Sequence, residues 1–174
     1  MRASRWPRSA TTIRRSGRET PSRTSKLQDE LAQRSDDLRG IARAILPPAL
    51  DHGRLVDALE VLAKTFGDTR LGVRIDAPQA DGIDTRRQIA IYHIAAEAVF
   101  NAFRHSGARE CVVCVLHESS GQVVLTVSDD GRGLSAQDQP GIGMTSMKER
   151  ATELGGELTV SDSENGTTIK VVLP

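Results

Sequence analysis

Between Val127 and Met147 the chain reads VSDDGRGLSAQDQPGIGMTSM, a stretch with two glycine pairs, Gly131 with Gly133 and Gly141 with Gly143. A strand-like run ends at Asp129-Asp130, a short polar segment follows, and a helical pattern starts near Met144. Glycine adopts φ > 0 and has no Cβ to block a ligand, so such pairs let main-chain N–H groups turn toward an anion. The helix beginning at Met144 adds the partial positive charge of its N-terminus, and a phosphate chain fits that combination. Either pair alone fits an ordinary turn equally well, with Leu134 to Pro140 as a mobile loop between them.

The rest of the chain must supply the fold around this stretch. At 174 residues with 38% hydrophobic content, one domain with an extension is expected. Aromatic residues make up only 3%, so the core is built from Leu, Ile, Val and Ala, and stacking on nucleic-acid bases is not expected. Of 23 basic and 23 acidic residues, seven Arg but only Glu19 fall in residues 1–25, which leaves 16 basic and 22 acidic beyond. That Arg/Ser/Thr-rich tail has no helical or strand period and is read as disordered. No apolar run is long enough to span a membrane and no signal-peptide core follows the first arginines, so the chain is read as cytoplasmic.

Apolar residues from Lys26 to Leu46 recur at three- and four-residue steps, which predicts an amphipathic helix stopped at Leu46-Pro47-Pro48. A second helix is predicted over Leu55 to Phe66, a strand over Leu71 to Ile75, and a long helix from the N-cap Asp84 to about His105. Strands follow at Glu110 to His117 and Val123 to Val127, then a helix over Thr145 to Leu154 and strands at Glu157 to Ser161 and Thr167 to Leu173. Asn165-Gly166 marks the last pair as a hairpin. This order predicts an α+β fold, a two-layer α/β sandwich with helices on one face of a mixed, mostly antiparallel sheet. Cys111 and Cys114 lie three apart on a strand and point to opposite faces with no second pair nearby, so they are read as free thiols rather than a metal site.

On the long helix Glu97, Asn101 and His105 share one stripe, with Arg104 beside them. The stripe fits a solvent-facing edge, and it also fits a site in which Asn101 offers a neutral oxygen to Mg2+ and Glu97 holds a water or accepts a proton. Asp129, at a strand end, can accept a hydrogen bond from an exocyclic amine such as that of adenine, whereas guanine presents a carbonyl there.

These residues carry a resemblance. IYHIAAEAVFNAFRHSGA (Ile91 to Ala108) resembles the N-box of the ATP-binding domain shared by gyrase, the ninety-kilodalton heat-shock chaperone, sensor histidine kinases and MutL. DDGRG resembles its first glycine box, GIGM its second, and Gly166-Thr167-Thr168-Ile169 its terminal strand. Leu46-Pro-Pro-Ala-Leu50, the Met147-Lys-Glu-Arg-Ala151 run and the lack of a phenylalanine box are most similar to the kinases that partner NarL-type response regulators. The resemblance implies a Bergerat-type fold that binds ATP with Mg2+. It makes Glu97 the N-box acid, Asn101 the Mg2+ ligand, Asp129 the adenine reader, and Gly131, Gly133, Gly141 and Gly143 the hinges of an ATP lid. Met144 opens the phosphate-facing helix, Thr167 or Thr168 supports the adenine site, and Arg104 and His105 approach phosphates.

The same resemblance divides the chain into a tail (1–25), a remnant of a dimerisation helix with its connector (26–50) and a catalytic domain (51–174). The family's acceptor histidine lies upstream of the Leu-Pro-Pro segment, whereas the histidines here are His52, His93, His105 and His117. The implied reaction is therefore γ-phosphoryl transfer to a histidine-containing dimerisation domain supplied in trans, for relay to a NarL-type regulator, with homodimers only if dimerisation helices are supplied. The alternatives are a non-catalytic ATP-binding module and an anti-sigma-factor type serine kinase. Neither a nucleic-acid partner nor a membrane segment is expected.

Overall fold

The computed structural model describes residues 47–52, 54–67, 70–78, 80, 82–134, 142–163 and 165–174. The tail expected over 1–25, the helix expected over 26–46, all but the first residue of the segment from Leu134 to Pro140, and Gly141 lie outside those residues.

A 3-10 turn at Pro48–His52 buries Leu50 and leads into helix α1, Leu55–Phe66. The spacing of Leu55, Ala58, Leu59, Leu62 and Phe66 puts all five on one buried face, where each leucine contributes roughly 1.5–3 kcal/mol. Gly67 ends the helix, its N–H bonded to the Ala63 carbonyl at 2.7 Å. Strand β1 spans Gly72–Asp76, one residue later than the alternation predicts.

Helix α2, Thr85–Asn101, starts where expected. Asp84 Oδ1 accepts the N–H groups of Arg86 (3.0 Å) and Arg87 (3.1 Å), and Oδ2 pairs with Arg87 Nε. The Arg87 side chain holds the Asp84 carboxyl below the usual carboxylate range. Arg87 Nη1 also donates to the carbonyls of Gly121 (2.8 Å) and Pro174 (2.9 Å), which ties the helix start to the turn at Gly121 and to the C-terminal residue. Strands β2 (Glu110–His117) and β3 (Val123–Asp129), helix α3 (Ile142–Glu153), and strands β4 (Glu157–Ser163) and β5 (Gly166–Leu173) complete the order.

The sheet runs β1-β2-β3-β5-β4, with β1 parallel to β2 and every other pairing antiparallel. Register pairs Val113 and Val115 of β2 with Val127 and Leu125 of β3, and Leu125 and Val123 with Val171 and Leu173 of β5; these residues and Cys111 are buried on one face. Their neighbours Val112, Cys114, Val124 and Val172 are half-buried on the other. The helices lie on the buried face, so the two-layer α+β sandwich predicted from the sequence is the fold observed. The cysteines divide as expected, Cys111 inward and Cys114 outward, both free. All three phenylalanines of the chain meet where α1 and α2 end: Phe66 contacts Phe100 and Phe103 edge-on at centroid distances of 6.1 and 6.2 Å.

Two local features depart from the sequence reading. The α-helical pattern predicted to His105 ends at Asn101 and widens into a π-helical turn over Ala102–Ser106, closed by Gly107 at φ +67. Ser106 Oγ donates to the Ala102 carbonyl (2.7 Å) and accepts the Ala108 N–H (3.0 Å), a local alternative to the helical ladder. Helix α3 begins at Ile142 rather than at Met144 or Thr145, so Gly143 is inside its first turn and not a free hinge. Asp130 is exposed, and its Oδ1 accepts the N–H groups of Arg109 (2.7 Å) and Glu110 (2.8 Å). The Glu110 and Arg109 N–H groups hold its carboxyl below the usual range.

Candidate functional site

One cleft of about 490 Å3 opens between α2, the end of β3, the start of α3 and strands β4 and β5. Asn101 enters it from the end of α2, His105 from the π-helical turn beyond, Asp129 from the end of β3, Gly133 from the loop after it, Gly143 and Met144 from the first turn of α3, and Thr167 from β5. Residues as distant in sequence as Asn101 and Thr167 thus share one space. Beside Asn101, the small residues Ala98 and Ala102 also line the cleft.

Asp129 is held in place by its own loop: Oδ1 accepts the Gly131 N–H at 2.9 Å, and Oδ2 has no hydrogen-bond partner among the described residues. Gly131 is required there because a Cβ would lie 2.5 Å from Ser106 Cβ and 2.6 Å from the Ser106 carbonyl oxygen. Gly133, at φ +72, is pressed against Ser163 and Asp162 of β4, and the Leu134 N–H donates to Asp162 Oδ1 at 2.5 Å. On the cross-strand neighbour of Asp129, burial together with the Asp129 and Asp130 charges pushes the Cys111 thiol up to about 12, so it is no nucleophile.

Other candidates lie elsewhere. Glu97 does not line the cleft; its carboxylate sits against Gly143, where an added Cβ would come 2.0 Å from Oε1. Arg104 turns onto the face of Phe100, with its guanidinium carbon 5.7 Å from the ring centroid. Thr168 is on the outer face of the sheet, sharing a hydrogen bond of 2.9 Å with Ser128 Oγ, so of the two threonines it is Thr167 that reaches the cleft. Sequence reasoning did not single out Ala98, Ala102, Ser106, Arg132, Val160 or Ile169. Strand parity carries a signal for two of these, since Ile169 has the parity of Thr167 and Val160 is its partner across β4 and β5.

The cleft's donors suit a cation that arrives with its ligand better than a resident one. Among the described residues no group of three or more His, Cys, Asp or Glu side chains converges on a metal position. The neutral amide of Asn101 matches the habit of Mg2+, which takes few protein ligands and keeps phosphate oxygens and water.

Comparison with known proteins agrees with this geometry. Residues 86–174 match the profile of the histidine kinase-, DNA gyrase B- and HSP90-like ATPases. The chain belongs to that family. Its curated relatives include the sensor histidine kinase MctS of Rhizobium johnstonii, 32% identical over 145 residues, which cover 79% of this chain and 31% of MctS. The nitrate/nitrite sensor protein NarQ of Escherichia coli is 32% identical over 133 residues, covering 74% of this chain and 22% of NarQ. The chain thus spans less than a third of either relative. Among solved structures, the histidine kinase domain of the Erythrobacter litoralis blue-light activated kinase EL346 superposes with a TM-score of 0.61 at 24% identity, over 70% of this chain and 59% of that one. The catalytic domain of histidine kinase ThkA gives 0.55 at 14% identity, over 69% of this chain and 90% of that one. These structures share the ATPase-family fold. No helix among the described residues is long and apolar enough to cross a membrane.

Proposed function

We propose that the chain is the catalytic part of a two-component sensor histidine kinase, which binds ATP with Mg2+ and transfers the γ-phosphoryl group to a histidine on another domain. The observation that carries this reading is the cleft itself, in which Asp129, Asn101 and the N-terminal turn of α3 face one space. Asp129 Oδ2 accepts the adenine amine, and Thr167 supports the same end. Asn101 holds Mg2+, which neutralises phosphate charge when bound. The first turn of α3, at Gly143 and Met144, presents backbone N–H groups and a positive dipole end to the phosphates. Glu97, seated beside that turn, is the acid that orients or accepts a proton from the nucleophile. Gly131 and Gly133 let the loop that carries Asp129 pack against Ser106 and β4. Catalysis of this kind rests on positioning and charge neutralisation.

The acceptor is a histidine-containing dimerisation domain, and the onward partner is a NarL-type response regulator in the cytoplasm. The relatives MctS, named a sensor histidine kinase, and NarQ, named a nitrate/nitrite sensor protein, favour that reading over an anti-sigma-factor type serine kinase. His93 is a poor acceptor, since it lies mid-helix on α2 and is half-buried.

Asn101→Ala tests the metal assignment. Thermal stability without nucleotide is expected to stay nearly unchanged, while the stabilisation by saturating Mg-ATP, about 2.7 kcal/mol at a hundred times Kd, disappears. A variant that unfolds unaided makes Asn101 a structural residue instead.

A further inference from the structure

The adenine end of the cleft is made of two backbone pieces that are remote in sequence, the π-helical turn at Ala102–Ser106 and the loop from Asp129 to Gly133. Cleft width at that end depends on how they are held together. The carbonyls that close a helix lack intrahelical partners, and here two of them are taken by one residue of the other piece. The Arg132 N–H donates to the Ser106 carbonyl at 2.9 Å, and Arg132 Nε donates to the His105 carbonyl at 3.0 Å. Both His105 and Arg132 line the cleft, while the neighbouring Arg104 is turned onto Phe100.

We propose that the Arg132 side chain is a positioning residue for nucleotide binding: by fastening the His105 carbonyl, it fixes the end of α2 against the loop that carries Asp129. This rests on the ATP-binding reading above. The role belongs to the Nε–H donor rather than to the charge. Replacing Arg132 by Ala or Gln leaves its backbone N–H on Ser106, so these substitutions act on the side chain, which holds the His105 carbonyl. Gln places an N–H donor the same number of bonds from Cα as Arg Nε but carries no charge, which separates the two contributions.

The test is titration calorimetry of the full chain with adenosine and with Mg-ATP, for the wild type, Arg132→Ala and Arg132→Gln, with melting curves of each without nucleotide. Arg132→Ala is expected to bind both ligands roughly tenfold more weakly, the size of one hydrogen bond to a charged donor, and Arg132→Gln to stay within about threefold of wild type. Loss of Mg-ATP affinity with adenosine affinity intact would overturn the proposal in favour of a direct phosphate contact. Arg132→Gln binding as weakly as Arg132→Ala while melting like wild type would overturn it in favour of the charge, and unchanged affinity in Arg132→Ala would leave no positioning role. A wild type that binds neither ligand would reject the ATP-binding reading itself and this inference with it.

Discussion

Asp129→Asn is expected to weaken ATP binding roughly ten- to a hundredfold, the equivalent of about 1–3 kcal/mol for one unmade bond. Oδ1 is already committed to the Gly131 N–H at 2.9 Å. An Asn amide has one acceptor and one donor end. If its oxygen stays on Gly131, its NH2 group faces the adenine amine; if it flips, the NH2 group faces the Gly131 N–H. Either orientation leaves two donors opposed. Titration calorimetry reads the loss directly, and wild-type protein should prefer ATP to GTP for the same reason. Unchanged ATP affinity in the variant would remove Asp129 from the adenine site.

Gly166→Ala has the largest expected effect on stability. Its φ of +122 is outside the range that side chains adopt readily, and a Cβ there would lie 1.8 Å from the Asp129 carbonyl oxygen, so strand β3 must move. Strain and overpacking together should cost about 2–5 kcal/mol and lower the melting temperature by on the order of 10 °C. Gly121 is the internal control: its φ is +89, but nothing lies within 4 Å of an added Cβ. Gly121→Ala should therefore cost only the conformational part, about 1–2 kcal/mol. Equal melting temperatures for the two variants would mean that the contact with Asp129 contributes nothing. Because the displaced carbonyl belongs to Asp129, Gly166→Ala should also weaken ATP binding.

What the sequence made legible is what depends on neighbours along the chain. The period of Leu55, Ala58, Leu59 and Leu62, the Asp84 cap, and the Asn165-Gly166 turn all act within a few residues, and the elements they predict are present at nearly the predicted bounds. Asp129, Asn101, Gly133, Gly143 and Thr167 converge on one cleft. Features that depend on contacts between distant elements were not legible. No local pattern says that Glu97 packs on Gly143. Nor does one say that Asp130 anchors the start of β2. Which basic residue reaches the cleft depends on the π-helical turn and on Phe100 capturing Arg104, and a regular helical projection contains neither. The register of β4 against β5, which brings Val160 beside Ile169, is likewise set by pairing across the sheet.

The central claim is that this chain supplies the ATP-binding catalytic machinery and that the acceptor histidine is on another domain. Incubating the purified chain with γ-labelled ATP and Mg2+, alone and with a separately purified histidine-containing dimerisation domain of a NarL-type kinase, tests it most directly. The account predicts acid-labile label on the added domain and none on the chain itself. Label on His52 of the isolated chain, or no label on either protein while ATP is bound, would contradict it.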